Sequence, residues 1–224
     1  MSRSAAQTPD KARKRSQRGI ETEQKLLSAA NEVFWANGFA GSTVAQIISV
    51  SGLSVGSFYH QFTDKDELLQ RAAEGVLDDF RVTFAQLDLS RDANTCLFAL
   101  FYRIAREGRK LVARNRGFYR AIAELAQNQF VNYGPLAMIG PTVAVRMNGM
   151  IGDYRDQLAE EPSREVVAHA VQLVTMCVLQ TELGMGPMFP DELDKFAQAI
   201  ARAACGVLGY VGPFDLVSTR RYQR

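Results

Sequence analysis

One stretch limits the folds open to this chain more than any other: TVAQIISVSGLSVGSFYHQFTDKDELL, from Thr43 to Leu69. Two short amphipathic runs, Val44 to Val50 and Val55 to Gln61, are separated by Ser51-Gly52-Leu53-Ser54, and glycine turns a chain sharply without steric cost. Thr43 with Gln46 three positions on has the form of a capping box, Ser54 is placed to cap the second run, and Thr63 with Asp66 to start a third. The spacing predicts a helix-turn-helix. Val44, Ile47, Ile48, Leu53 and Phe58 fall where the two helices pack on each other, and Ser54, Val55, Ser57, Tyr59 and His60 are left on the outward face of the second. A short helix with small and polar outward residues is shaped to enter a major groove of DNA.

In full the pattern is Thr43-Val44-x-x-Ile47-x-x-x-Ser51-Gly52-Leu53-Ser54-x-Gly56-x-Phe58-Tyr59-x-x-Phe62-x-x-Lys65-x-x-Leu68-Leu69. It resembles the DNA-binding signature of the tetracycline-repressor (TetR) family of bacterial transcription regulators. The resemblance covers the first third of the chain, with Leu53 where Val is commoner and Gln61 where an aromatic or His is frequent. It implies an all-α protein: an N-terminal three-helix DNA-binding module with the helix-turn-helix, followed by a larger helical ligand-binding and dimerisation domain. It also implies a homodimer and a small-molecule effector held inside the helical domain.

Charge distribution adds to the DNA-binding reading. Up to Ile20 the basic residues Arg3, Lys11, Arg13, Lys14, Arg15 and Arg18 face Asp10 alone, while the rest of the chain is net acidic. A basic arm leading into a helix-turn-helix is well placed to track phosphates or a minor groove, and Arg15 and Arg18 lie nearest the module. The expected DNA-contacting set is Arg15, Arg18, Thr43, Gln46, Ser54, Val55, Gly56, Ser57, Tyr59, His60 and Lys65. Within it, Thr43, Ser54, Tyr59, His60 and Lys65 are phosphate-positioning groups, with Lys65 a charge at a helix start, whereas Val55, Gly56 and Ser57 lie on the leading turn of the recognition helix.

The hydrophobic share of 47% excludes general disorder, and three cysteines without paired spacing, Cys96, Cys177 and Cys205, read as reduced packing residues. No apolar run approaches the ~20 residues of a membrane span, and the polar N-terminus lacks a signal-peptide core, so a cytoplasmic protein without membrane partners is expected. The boundaries read as a flexible basic arm over 1–18, the DNA-binding domain over 19–63, the helical ligand-binding and dimerisation domain over 64–212 and a C-terminal tail over 213–224.

Helical periodicity runs through the rest of the chain. Leu26, Leu27, Ala30, Val33 and Phe34 mark a first helix from about Ile20 to a left-handed stop at Asn37-Gly38, and Trp35 with Phe39 is expected to close the small core. A long helix from Asp64 carries Leu69, Ala73, Val76, Leu77, Phe80, Phe84 and Leu87 and forms a natural lever between the two parts. Gly134-Pro135 and Gly140-Pro141 read as interruptions. The run from Val166 to Leu179 is apolar almost all round and has to be covered on every side. With the last helix it is expected to form a dimer interface through Val171, Val174, Val178, Phe196, Ile200 and Ala204.

Aromatic and methionine residues are dense between the fourth and eighth helices, including Phe130, Tyr133 and Met138. Core packing explains many of them, but the family resemblance shifts the reading toward a cavity, lined by Phe84, Phe101, Tyr102, Phe118, Ile122, Met147, Met150 and Met176 and holding a mainly apolar effector. Glu107, Glu124 and Glu182 are acidic groups that a cationic effector would meet. No cofactor and no metal are expected: His60 and His169 have no partners at ligand spacing. Gly52-Leu53-Ser54-Val55-Gly56 satisfies the nucleophile-elbow pattern, yet the strand alternation and the downstream Asp and His of a hydrolase are missing. The expected function is therefore that of a non-enzymatic, ligand-responsive regulator, in this family usually a repressor, that binds a palindromic operator. The alternatives are a ligand-independent regulator whose helical domain only dimerises and, remotely, a serine hydrolase built on Ser54.

Overall fold

The computed structural model describes residues 17–129, 139–184, 189–214 and 216. Arg15 and most of the basic arm lie outside these residues, as do Phe130, Tyr133, Met138, Gly134-Pro135 and the tail arginines. Nine α-helices are seen among the described residues: α1 Gln17–Asn37, α2 Val44–Ser51, α3 Val55–Gln61, α4 Lys65–Gln86, α5 Leu97–Arg114, α6 Arg116–Gln129, α7 Ile139–Met150, α8 Arg164–Glu182 and α9 Leu193–Val207. A 3-10 stretch, Ile151–Gln157, continues α7. The β contribution among the described residues is a single bridge between Leu158 and Tyr210. No described helix is long and apolar enough to cross a membrane.

Local chemistry accounts for the helix boundaries of the first third. The Thr43 hydroxyl accepts from the Gln46 amide at 3.2 Å while the Gln46 side chain accepts from the Thr43 amide at 2.8 Å, a reciprocal box that satisfies two orphan donors of α2. Gly52 closes α2 in the left-handed region at φ 66°, and Ser54 caps α3 through the Ser57 amide. The expected Thr63–Asp66 start of α4 is displaced by one residue. Asp64 is the cap, accepting from the Glu67 amide at 2.8 Å, and Glu67 reaches back to the amide and hydroxyl of Thr63. A carboxylate placed one residue later out-competes the threonine because it is a stronger acceptor at the positive end of the helix. These backbone and hydroxyl donors of Thr63 also hold the Glu67 carboxyl below its usual range.

In the helical domain α5 packs against α9, α8 and α9 pack together, and α7 lies on α8. Pro141, expected to interrupt the chain, sits in the first turn of α7, where the missing N–H has no intrahelical partner to lose. Packing continues past residue 212: the Phe214 ring meets Phe98 edge-on at 5.7 Å, and the Tyr210 hydroxyl donates to the Pro213 carbonyl. Cys96 caps α5 by accepting from the Ala99 amide at 3.4 Å. Burial pushes the thiols of Cys177 and Cys205 up, which disfavours the thiolate needed for redox chemistry.

The dimer-interface expectation needs correction at the level of residues. Val171, Val174, Val178, Phe196, Ile200 and Ala204 are all buried within the single chain. They form the inward ridges of α8 and α9 because α5 supplies the apolar surface that was expected from a second copy. The large apolar residues left outside on the same helices are Met176, 48% exposed, and Val207, 39% exposed, and Leu173 and Ala199 are half-buried.

Candidate nucleic-acid interface and a cavity in the helical domain

The helix-turn-helix is anchored from below and open above. Ile47 and Phe58 are fully buried, and Phe58 packs edge-on against Tyr59 at 5.3 Å and tilted against Phe62 at 5.8 Å. With these anchors set, the outward side of α3 presents Val55, 59% exposed, Tyr59, 58% exposed, and His60. Thr43, Gln46, Ser54 and Gly56 share that exposure, and Ser57 is half-buried with its hydroxyl 2.9 Å from that of Ser54. Arg18 is exposed near the start of α1. Gly56 is informative because the fold makes no demand for glycine there: an added Cβ would meet only the Ser54 hydroxyl, at 3.9 Å, and the backbone is ordinary helix.

Lys65 departs from expectation. Its ammonium donates to the carbonyls of Phe39 at 2.8 Å and Ser42 at 3.0 Å and lies 4.4 Å from the centre of the Phe39 ring. The charge expected at a phosphate instead ties the start of α4 to the carbonyls of two buried residues of the α1–α2 turn. Ser54, for its part, follows a helix and caps another, so the strand-to-helix geometry of a nucleophile elbow is missing. Trp35 does not close the small core; it is half-buried on α1 beneath the guanidinium of Arg116, 4.4 Å from the ring centre. Phe39 and Phe34, 5.4 Å apart, fill the place that was expected of it.

A cavity of about 500 Å³ lies between α4, α5, α6, α7 and α8. Phe84, Phe101, Ile122 and Met176 of the expected lining do border it, joined by Phe80, Ile104, Leu111, Tyr119, Thr83, Gln172 and Thr175. Phe80 and Phe84 stack at 5.4 Å. Four expected residues do not line it. Phe118 turns toward Phe34 at 6.2 Å, Met147 is fully buried in the core, Met150 packs on that core, and Tyr102 donates to Asp194 at 2.9 Å on the far side of α5. Adjacent positions on a helix point about 100° apart, so Phe118 serves one neighbour and Tyr119 another.

None of the three glutamates expected to meet a cation is free to do so. Glu182 accepts from Arg109 at 2.6 Å, and Glu124 accepts from the amides of Phe39 at 2.7 Å and Ala40 at 2.9 Å. Glu107, at the cavity, is bound by Lys110 at 2.8 Å and Arg106 at 3.1 Å. Burial pushes its carboxyl up, but these cations outweigh burial and hold it below the usual range.

Sequence reasoning missed the element that joins cavity and interface. Helix α6 borders the cavity with Tyr119, Ile122 and Ala123, and the same helix grips the DNA-binding module. Asn31 on α1 accepts from the Gly117 amide at 2.9 Å and donates to the Arg114 carbonyl at 2.9 Å, while Arg120 donates to the Trp35 carbonyl. Glu124 completes the grip at the α1–α2 turn. The only signal in the sequence was the glycine at 117, the residue that lets two backbones touch.

The profile of bacterial regulatory proteins of the tetR family matches residues 26–72, which run from α1 through α2 and α3 into α4. The chain is 41% identical over 59 residues to the HTH-type transcriptional regulator SrpR of Pseudomonas putida, covering 26% of this chain and 28% of that protein. It is 39% identical over 68 residues to the HTH-type transcriptional regulator CymR of the same species, covering 30% and 34%. The match thus spans about a third or less of the length of these relatives. Among solved structures, a bacterial regulatory protein in the tetR family from Rhodococcus RHA1 superposes over 86% of this chain and 99% of its own with a TM-score of 0.60 at 17% identity, which shows a shared fold. Residues 26–72 thus match the DNA-binding segment of bacterial regulatory proteins of the tetR family, and the helical fold built on that segment is shared with a solved structure of that family.

Proposed function

We propose that this protein is a ligand-responsive transcription regulator that binds a palindromic operator as a homodimer, represses from it, and is released by a mainly apolar effector held in the cavity. The observation that carries the DNA-binding part is the exposed face of α3, with Gly56 at its leading turn where the fold requires no glycine. Val55 can meet a thymine methyl, Gly56 permits close approach, and Ser57 can bond to several base edges. Arg18 and the arm supply charge. Two such helices related by a twofold reach half-sites roughly 34–36 Å apart, one turn of the duplex.

Gly56→Ala separates this reading from a structural role. In an open helical position the substitution is expected to raise stability by about 0.5–1 kcal/mol, because alanine loses less backbone entropy. Operator affinity is expected to fall at the same time. The measurement is a urea melt beside a gel-shift titration on a site selected from random DNA; unchanged affinity removes Gly56 from the interface. Lys65→Ala, by contrast, is expected to destabilise the fold by about 1–3 kcal/mol, since two carbonyls lose a charged donor, and to leave the slope of log affinity against log salt nearly constant. A slope reduced by about 2 in a dimer would return Lys65 to the phosphate contacts.

The dimer is proposed to use the outward faces of α8 and α9, around Met176 and Val207. Met176→Glu with Val207→Glu is expected to convert a dimer to a monomer in sedimentation equilibrium, with the helical signal retained. Effector release is proposed to act through α4 and α6 together: α4 spans roughly 30 Å from Lys65 to Phe84, and α6 runs from the cavity to the α1–α2 turn. By linkage, operator DNA weakens effector binding by the same factor that effector weakens operator binding. The cavity favours this reading over a regulator whose helical domain only dimerises, since a dimerisation domain has no use for about 500 Å³ of apolar space.

A further inference from the structure

The cavity wall is apolar except at a few points, and those points differ in whether their hydrogen bonds are already made. Thr175 donates to the Val171 carbonyl at 3.0 Å, and Glu107 is bound by Lys110 and Arg106. Tyr119 is 93% buried, as its 7% exposure implies, yet its hydroxyl has no hydrogen-bond partner among the described residues. A buried donor without a partner is costly, and no fully enclosed side-chain N or O among the described residues lacks a partner, so this hydroxyl keeps some open surface, on a residue that borders the cavity. Burial, with Asp79 nearby, pushes the phenol up to about 12, so at neutral pH it is a donor. Thr83, one helix away on the same wall, also has no partner among the described residues.

Charge narrows the occupant. The one ionised side chain on the described lining is Glu107, an acid held in its charged form, which repels an anion. Its charge is already matched by two cations, which repel a third. Deepening the effector reading given above and resting on it, we propose that the cavity takes an uncharged, largely apolar molecule with one carbonyl acceptor, of the ketone, ester or lactone class, that receives the Tyr119 hydrogen bond. Phe80 and Phe84 give such a molecule an apolar wall, and the volume lies within the ~300–1,000 Å³ of small-molecule sites.

Four probes of one ring system test this: 2-acetylnaphthalene, 2-ethylnaphthalene, 2-naphthoate and 2-naphthyltrimethylammonium, titrated calorimetrically into the full chain. The ketone is expected to bind tighter than the hydrocarbon and than either ion. Tyr119→Phe, which keeps the ring and its packing, is expected to weaken the ketone about threefold to tenfold while leaving the hydrocarbon unchanged. The proposal is overturned if the hydrocarbon binds as well as the ketone, if either ion binds tighter, if Tyr119→Phe moves both neutral probes alike or neither, or if no probe binds. Operator binding is measured on the same samples. Loss of DNA binding with the ketone preference intact overturns the regulator reading and not this one, and DNA binding without any probe binding does the reverse.

Discussion

Gly117→Ala is expected to destabilise the protein by about 3 kcal/mol or more, at the upper end of what overpacking costs. An added Cβ would stand 1.9 Å from the Asn31 carbonyl oxygen and 2.8 Å from its carbon, so α1 and α6 have to separate. Separation also stretches the bonds from Asn31 to Gly117 and Phe118 and the hold of Glu124 on Phe39 and Ala40. Helix propensity alone predicts the opposite sign, a gain of about 1 kcal/mol for alanine over glycine. Gly75→Ala supplies the comparison: Gly75 is exposed on α4 with nothing near its added Cβ, and its substitution is expected to stabilise. Urea melts of the two variants therefore move in opposite directions. If both stabilise, α1 and α6 do not touch at Gly117 in solution, and the proposed route from cavity to DNA-binding module loses its second helix.

Arg109→Ala is expected to cost about 3–5 kcal/mol, the range for breaking a buried ion pair from one side. The guanidinium of Arg109, whose side chain is 10% exposed, bonds Glu182 at 2.6 Å, the Asp191 carboxylate at 3.0 Å and the Asp191 carbonyl at 2.8 Å, and lies 4.7 Å from the centre of the Phe196 ring. One side chain thus joins the middle of α5 to the end of α8 and the approach to α9. Its removal leaves Glu182, 13% exposed, with a buried charge and no counter-ion at that bond, while the fully exposed Asp191 returns to water. At about 2–4 °C per kcal/mol for a chain of this size, the melting temperature is expected to fall by roughly 6–20 °C. The double variant Arg109→Met with Glu182→Leu is expected to recover most of that loss, because removing both charges also removes their desolvation cost. A double variant as unstable as Arg109→Ala would mean that the ion pair is not the source of the effect.

What the sequence determined by itself is what rests on neighbours within about four residues. The box at Thr43 and Gln46, the left-handed Gly52, the cap at Ser54 and the buried Phe58 are all set by local hydrogen bonds and helical spacing, so the helix-turn-helix was legible in full. Even the displaced start of α4 is a local contest, Asp64 over Thr63. Tertiary structure decided everything that depends on which element lies across from which. Periodicity shows that Val171, Val174, Val178, Phe196, Ile200 and Ala204 need cover; that α5 covers them, and not a second chain, follows from how α8 and α9 close around it. Phe118 and Tyr119 are equivalent to any count of aromatics, and only the rotation of α6 sends one to Phe34 and the other to the cavity. Glu124 and Glu182 read as surface acids until partners 85 and 73 positions away hold them. A helix side chain is committed to a direction by its own turn, but the group waiting in that direction is supplied by chain folding back from a distance, and no local pattern records it.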